Sequence, residues 1–367
     1  MTYNTTYPSG EVSPSDFDID NTTTSISVID AQPTKDITIW YPWALAAAYV
    51  ILLIGLCLNM ITAIAYMKSS LLSGGKPVHL LIFNMTISDL ASCLLGQMFI
   101  VFQYTDAGSR YVMTRQMVCI TNLVGLVISY DSTVTALLLI TCERLVAIIS
   151  PFEHMHRVTR KTARVAIVIN WVLLAIKNNV LFVWNRWKPY VPCIGLYVMP
   201  DVYVLYVYNT TLYGCMGLIF LLNVILGIAV IVAKTKTRNM NVSHMKSSRS
   251  ELKIVKMIFL VVGVLFVTWM PNNTFGNIII TAITQKTALP YDILIAHHMT
   301  RGVTVMGAVA NPLIYFLKNE QCRAAVLKLF GHTEASWSRR HKRQDQSVYS
   351  LNSVQTATTQ VTGKVDE

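Results

Sequence analysis

Charge is what this sequence has least of. Only 13% of its 367 residues are Asp, Glu, Lys or Arg, against roughly 25% in soluble globular domains. The shortage is concentrated in blocks. No charged side chain occurs between Asp36 and Lys68, between Asp201 and Lys234, or between Lys256 and Lys286. Each gap exceeds the roughly 20 residues that a helix needs to cross a bilayer core. With 53% hydrophobic residues and a mean hydropathy of +0.47, disorder, coiled coil and a cytosolic enzyme are excluded. Seven cysteines are too few and too scattered for a disulfide framework. Cys57, Cys93, Cys142 and Cys215 fall inside apolar runs, where a buried thiol is expected. Residues 1–41 lack the apolar core of a signal peptide, so the first span is expected to act as its own targeting signal. The class implied is an all-α membrane protein.

Seven apolar segments are present, at about 42–67, 78–103, 115–149, 163–183, 205–233, 252–282 and 292–317. The second, third, fourth and seventh are interrupted by single charges. The net charge of +11 would fit nucleic acid, but its distribution excludes that partner. Residues 1–41 carry six acids against one base, Lys35. Of 30 Lys and Arg residues, 22 fall in connections 1–2, 3–4 and 5–6 and in the tail. By the positive-inside rule this places the N-terminus outside and the tail inside. Sequons at Asn4 and Asn21 then lie on the glycosylated side.

Four regions are expected. Residues 1–41 are an extracellular disordered N-terminus and 42–318 a seven-helix transmembrane bundle. In 319–330, Cys322, Val326, Leu329 and Phe330 recur near helical spacing with Arg323 and Lys328 between them. That pattern predicts an amphipathic helix lying on membrane lipid. Residues 331–367 form a cytoplasmic tail rich in Ser, Thr and Gln, expected to be disordered.

Polar groups within spans are costly and need a partner or a task. Asn59, Asp89, Asp131, Glu143, Arg144, Lys177, Arg301 and Asn311 are the candidates. Several stand in motifs: Gly55-Leu56-Cys57-Leu58-Asn59, Asn84-Met85-Thr86-Ile87-Ser88-Asp89-Leu90, Glu143-Arg144-Leu145, Trp171, Trp269-Met270-Pro271, and Asn311-Pro312-Leu313-Ile314-Tyr315. In this order, one per expected helix, they resemble the rhodopsin-like G-protein-coupled receptors over about residues 40–330. Arg144 follows Cys119 by 25 residues, which is the family spacing. There are departures. Leu145 replaces an aromatic residue, Thr268 a cysteine, Leu265 a phenylalanine, and no proline lies between 201 and 270.

The resemblance implies a receptor, not an enzyme, which passes binding of an extracellular ligand to a heterotrimeric G protein. Arrestin and a receptor kinase are implied at the Ser/Thr-rich tail. Glu143, Arg144, Glu251, Trp269, Pro271, Asn311, Pro312 and Tyr315 take the coupling and switch roles, with Glu251 closing on Arg144. Asn59, Asp89, Thr133 and Asn311 are either a site for an allosteric sodium ion or a purely structural hydrogen-bond network. No other cofactor or metal is implied. Cys119 and Cys193, both on the oxidising side, are expected to form a disulfide. Asp131 lies 13 residues before Arg144, which turns it away from that face toward Lys177, and the two are expected to neutralise each other.

Rival classes fit less well. A secondary transporter would use Asp131, Lys177 and Arg301 as a path, but no inverted repeat is visible. A retinal protein of this family needs a lysine six residues before Asn311, where Val305 stands. His297-His298 do not share a helix face as metal ligands would. Amine receptors of the family hold the ammonium with an Asp where this chain has Leu126. The implied pocket is Gln103, Leu126, Tyr130, Trp269, Asn272, Asn273, His298 and Arg301. Arg301 offers a fork suited to carboxylates and carbonyls, so a peptide ligand is expected, with a biogenic amine or other small molecule as the alternative. Leu196 to Tyr208 is β-prone and is expected to form a hairpin lid.

Overall fold

The computed structural model describes residues 37–73, 76–103, 105–191, 193–237, 242–285, 287–288 and 290–331. Both expected glycosylation sites, Asn4 and Asn21, and the tail beyond Gly331 lie outside these residues.

Eight helices organise the chain. They are α1 (Ile37–Lys68), α2 (77–103), α3 (Gln116–Ile149), α4 (Arg160–Phe182), α5 (203–237), α6 (Val242–Gln285), α7 (Tyr291–Lys318) and α8 (Glu320–Leu329). The first six are long and apolar enough to cross a membrane, and α7 completes the bundle by packing along α6 and α1. This is a multi-pass membrane protein. The central element is α3, which touches α2, α4, α5 and α6. On α4 the opposite rule holds. Val165, Val168, Ile169, Val172, Leu173 and Ile176 are all exposed, an aliphatic stripe that water would reject and lipid tails accept.

Two apolar cores fill the bundle. One runs through Val134, Leu137 and Ile140 of α3, Leu212 and Met216 of α5, Ile258 and Leu265 of α6, and Tyr315 of α7. The other gathers Phe99, Ile120, Leu123, Leu181 and Tyr203 around Cys119 and Cys193. Those two cysteines are bridged, with Cα atoms 5.8 Å apart. Of the thiols expected to be buried, Cys93 is buried, Cys215 half-buried, and Cys57 and Cys142 are exposed. A span has a lipid face as well as a core face, and a thiol is apolar enough for either.

Three local findings depart from the sequence reading. The expected hairpin lid is not there, and no strand occurs among the described residues. Gly195–Val198 is a short helical turn, and Tyr203–Tyr208 is a π-helical turn opening α5. At a membrane entrance the backbone has to satisfy its own polar groups, which overrides the β-propensity of Tyr and Val. A second π turn, Ser92–Gln97, interrupts α2. There Gly96 allows close approach to α3, since a Cβ would lie 3.1 Å from Ser129 Oγ and 3.2 Å from Leu126 Cδ1.

The amphipathic helix forms as expected. Asn319 breaks from α7 with an extended backbone, and its Oδ1 accepts from the amides of Gln321 and Cys322. Cys322, Ala325 and Val326 share the buried face, in one core cluster with Tyr66 and Leu72. Burial pushes the Cys322 thiol up to about 12, so almost no thiolate exists near neutral pH. A membrane-permeant maleimide at pH 7.5 is expected to leave Cys322 unmodified in the folded chain and to label it on denaturation, read by peptide mass. Removing either half of the bridge costs about 2–5 kcal/mol in small domains. Cys119→Ser, Cys193→Ser and the double variant should therefore lose surface expression and melting temperature to the same extent. Additive losses would show that the two residues do not act as a pair.

Candidate functional site

Polar side chains meet at three levels of the bundle. At the middle level Asp89 is buried, and Asn311 Nδ2 donates to its Oδ2 at 3.0 Å. Thr133 Oγ1 donates to Oδ1 at 3.5 Å and shares a 3.3 Å contact with Ser92 Oγ. A cavity of about 20 Å³, enough for one water-sized occupant, opens against Asp89, Ser92, Thr133 and Asn311. Tyr130 and Trp269 close it, with ring centroids 4.9 Å apart in an edge-to-face arrangement.

Asn59 does not join this cluster. Its Nδ2 donates to the carbonyls of Gly55 at 2.9 Å and Ala308 at 2.7 Å. The cause lies in α7. Pro312 has no N–H to give to Ala308, four residues earlier, and Asn59 supplies the missing donor. Trp171 works in a similar way between α4 and α2, donating to Asn84 Oδ1 at 3.0 Å.

Beside Tyr130, Asp131 turns toward α4. Lys177 Nζ lies 2.8 Å from its Oδ2, as expected from the sequence. Two further partners were not foreseen. Asn178 Nδ2 donates to the same oxygen at 3.0 Å, and Tyr203 donates to Asn178 Oδ1 at 2.9 Å. The Lys177 ammonium also stands 5.8 Å from the Tyr208 ring centroid. Lys177 and Asn178 are adjacent on α4, so a polar pair at a span's end was the visible signal.

At the third level, away from the bridged cysteines, Arg144 is buried and donates through Nε and Nη2 to Glu143. His154, from the short helix Pro151–Arg157, reaches Glu143 Oε1 with Nε2 at 2.8 Å. The sequence reading had not used His154. Tyr315 is buried in the larger core. The side chain of Glu251, the expected second partner of Arg144, lies outside the described residues.

Of the expected ligand contacts, the side chains of Gln103, His298 and Arg301 also lie outside the described residues. Leu126 is half-buried against Gly96. Asn273 is engaged within the protein, its Nδ2 donating to the Trp269 carbonyl at 2.9 Å and its Oδ1 accepting from Tyr208 at 3.5 Å. Asn272 Oδ1 is buried with no hydrogen-bond partner. Pro271 lies inside α6 between these asparagines and Trp269.

Comparison with known proteins agrees with this geometry. The family described as 7 transmembrane receptor (rhodopsin family) matches residues 45–315. Cannabinoid receptor 2 of Homo sapiens is 24% identical over 315 residues, covering 83% of each chain. Medium-wave-sensitive opsin 1 of Rattus norvegicus is 24% identical over 299 residues, 77% of each. Cannabinoid receptor 1 of Xenopus laevis is 22% identical over 295 residues, which is 74% of this chain and 59% of that protein.

The Asp131–Lys177 pair yields a direct test. Removing one partner of a buried pair costs about 3–5 kcal/mol, whereas replacing both with apolar or neutral isosteres is near neutral. Asp131→Asn and Lys177→Met should each reduce surface expression and melting temperature strongly, and the double variant should recover most of both. A double variant no better than the worse single variant would show that the charges do not compensate each other.

Proposed function

The chain belongs to the rhodopsin family of seven-transmembrane receptors, and from that membership we propose that it couples an extracellular ligand to a heterotrimeric G protein. The observation that carries this reading is Arg144, buried and held by Glu143 at one end of the bundle, while Trp269 and Pro271 mark a hinge toward the other. The N-terminus is assigned outside and the tail inside. Support for that comes from the basic side chains of connections 1–2, 3–4 and 5–6. The Cys119–Cys193 bridge then falls on the oxidising side, and Arg144 faces the G protein. Arrestin and a receptor kinase are the further partners assigned to the Ser/Thr-rich tail.

For the ligand, the amine reading loses support because Asp131 is already taken by Lys177 and Asn178, and Leu126 offers no charge. A peptide, or another ligand with an acidic or carbonyl group, is the reading favoured by Arg301 in the sequence. A cannabinoid-type ligand is the second reading, favoured by the names of the relatives. The place of a retinal lysine is held by Val305, which argues against light sensing.

The cavity beside Asp89 fits a sodium ion. The donors to its carboxylate are neutral, Asn311 and Thr133, so the buried charge is not balanced by them. Asp89, Ser92 and Thr133 would supply hard oxygen ligands, and the ion would neutralise the carboxylate.

The test is G-protein nucleotide exchange with purified receptor in lipid nanodiscs. Amidated and acidic peptides, cannabinoids and amines would be compared on the parent, Arg301→Ala, and the Asp131→Asn/Lys177→Met double variant. Peptide stimulation abolished by Arg301→Ala and retained by the double variant is expected. Amine stimulation that needs Asp131 and ignores Arg301 would overturn the ligand assignment. Glu251→Ala should raise ligand-independent exchange several-fold, and unchanged basal exchange at equal receptor concentration would remove Glu251 from the Arg144 lock.

A further inference from the structure

Helices α5 and α6 are joined by neutral side chains, of which the sequence reading had singled out Asn273 alone. Asn209 and Tyr213 lie four residues apart on α5, as Asn273 and Asn277 do on α6, so each pair shares a helix face. Asn209 Nδ2 donates to Asn277 Oδ1. Asn277 Nδ2 in turn donates to the Tyr213 hydroxyl at 2.6 Å. Asn277 thus uses both ends of its amide, one toward each α5 residue. All four side chains are half-buried within charge-free runs.

The contact stands between a fixed post and a hinge. The post is the start of α5, whose Tyr203 is tied through Asn178 to Asp131 and Lys177. The hinge is Pro271, which removes a backbone hydrogen bond from α6. Asn277 lies six residues beyond it. Between them Asn273 reaches back across Pro271 to the Trp269 carbonyl and accepts from Tyr208. Any movement of the α6 segment beyond Pro271 against α5 therefore breaks the Asn277 contacts and pulls on Trp269.

We propose that Asn209, Asn277 and Tyr213 form a clasp that sets the resting position of α6 against α5, with Asn277 as a positioning residue for Trp269. The assignment deepens the receptor reading above and rests on it for its consequence in signalling. Arg144 held by Glu143 belongs to the same arrangement, so the clasp stabilises the resting state and its loss favours the active one. Interhelical side-chain hydrogen bonds of this kind in a bilayer shift an equilibrium about threefold on average and nearly 20-fold at most. That range is large enough to bias a two-state receptor without locking it.

The test uses the full chain in nanodiscs and two readouts. Hydrogen–deuterium exchange over residues 254–268, on the Arg144 side of Pro271, reports helix movement with no G protein present. Basal nucleotide exchange on added G protein reports signalling. Asn277→Leu and Asn209→Leu should each raise backbone exchange in 254–268 by about three- to 20-fold, Tyr213→Phe by less. The Asn209→Leu/Asn277→Leu double variant should go no further than the larger single one. Asn277→Gln, which keeps both ends of the amide, should stay nearer the parent than Asn277→Leu. Basal signalling should follow the same order.

A lowered melting temperature with unchanged exchange in 254–268 would make the contact purely structural and overturn the proposal. Additive effects in the double variant would overturn it too. Tyr213→Phe removes one oxygen only, so it decides the matter if Asn277→Leu does not fold: no rise in exchange there is a refutation. Should nucleotide exchange be absent in the parent and in every variant while deuterium exchange follows the stated order, the clasp stands and G-protein coupling falls.

Discussion

Hydrocarbon offers no hydrogen-bond partner, so a polar group between the two ends of this bundle is costly unless it finds one inside the protein. That constraint orders the rest. It makes helices of the spans, and where a helix is defective it recruits a side chain. Pro312 leaves the Ala308 carbonyl without its usual donor, and Asn59 of α1 supplies one at 2.7 Å. A covalent property of one residue thus fixes the contact between α1 and α7. The same requirement sends Asp131 to Lys177 and Asn178, and the Trp171 indole to Asn84. The lipid face is the complement. Helix α4 shows a nearly unbroken aliphatic stripe because nothing polar could stand there unaided.

Where the constraint is severe, the sequence was legible. Apolar runs poor in charge located the spans because a bilayer excludes charge, and the helices end within a few residues of those runs except where α6 extends well beyond its apolar part. Asp131 and Lys177 were paired on paper because leaving either alone costs about 2.5–3.5 kcal/mol on insertion scales. Where the constraint is mild, the reading failed. Asn209 and Asn277 are neutral, and neutral amides in a span give no such demand for a partner. Asn59 was grouped with Asp89 because both are polar and near mid-span. Facing direction decides between carbonyl and carboxylate, and one sequence does not carry it. The Tyr- and Val-rich start of α5 reads as strand by propensity, but a span's first turn has to close its own hydrogen bonds.

A single turn of α3 ties three helices together. Tyr130, Asp131 and Thr133 lie within four residues, and the helical rotation of about 100° per residue sends them different ways. The Tyr130 ring meets Trp269 of α6. The Asp131 carboxylate meets Lys177 of α4. The Thr133 hydroxyl meets Asp89 of α2, which also holds Asn311 of α7. A shift of α3 at this height is felt by three neighbours at once and through Asp89 by α7, which is why the cavity, the aromatic pair and the ion pair are one structure.

These contacts are not equally hard to break, and the difference sets which helices can move. The link between α3 and α4 is a charged pair in a dry setting, and separating such a pair costs several kcal/mol. The side-chain polar and aromatic links from α6 to α3 and α5 are an aromatic edge, neutral amides and a phenol, each worth about 1 kcal/mol in a bilayer. Pro271 and Pro312 weaken the backbones of α6 and α7 as well. Helices α2, α3 and α4 therefore act as the frame, tied by the Asp131–Lys177 pair and the Trp171–Asn84 bond. The weaker of these links therefore belong to α6. Arg144 belongs to the frame, held by Glu143 with His154 beside it. Because Glu143 is its neighbour in sequence on α3, Arg144 keeps that partner wherever α6 stands.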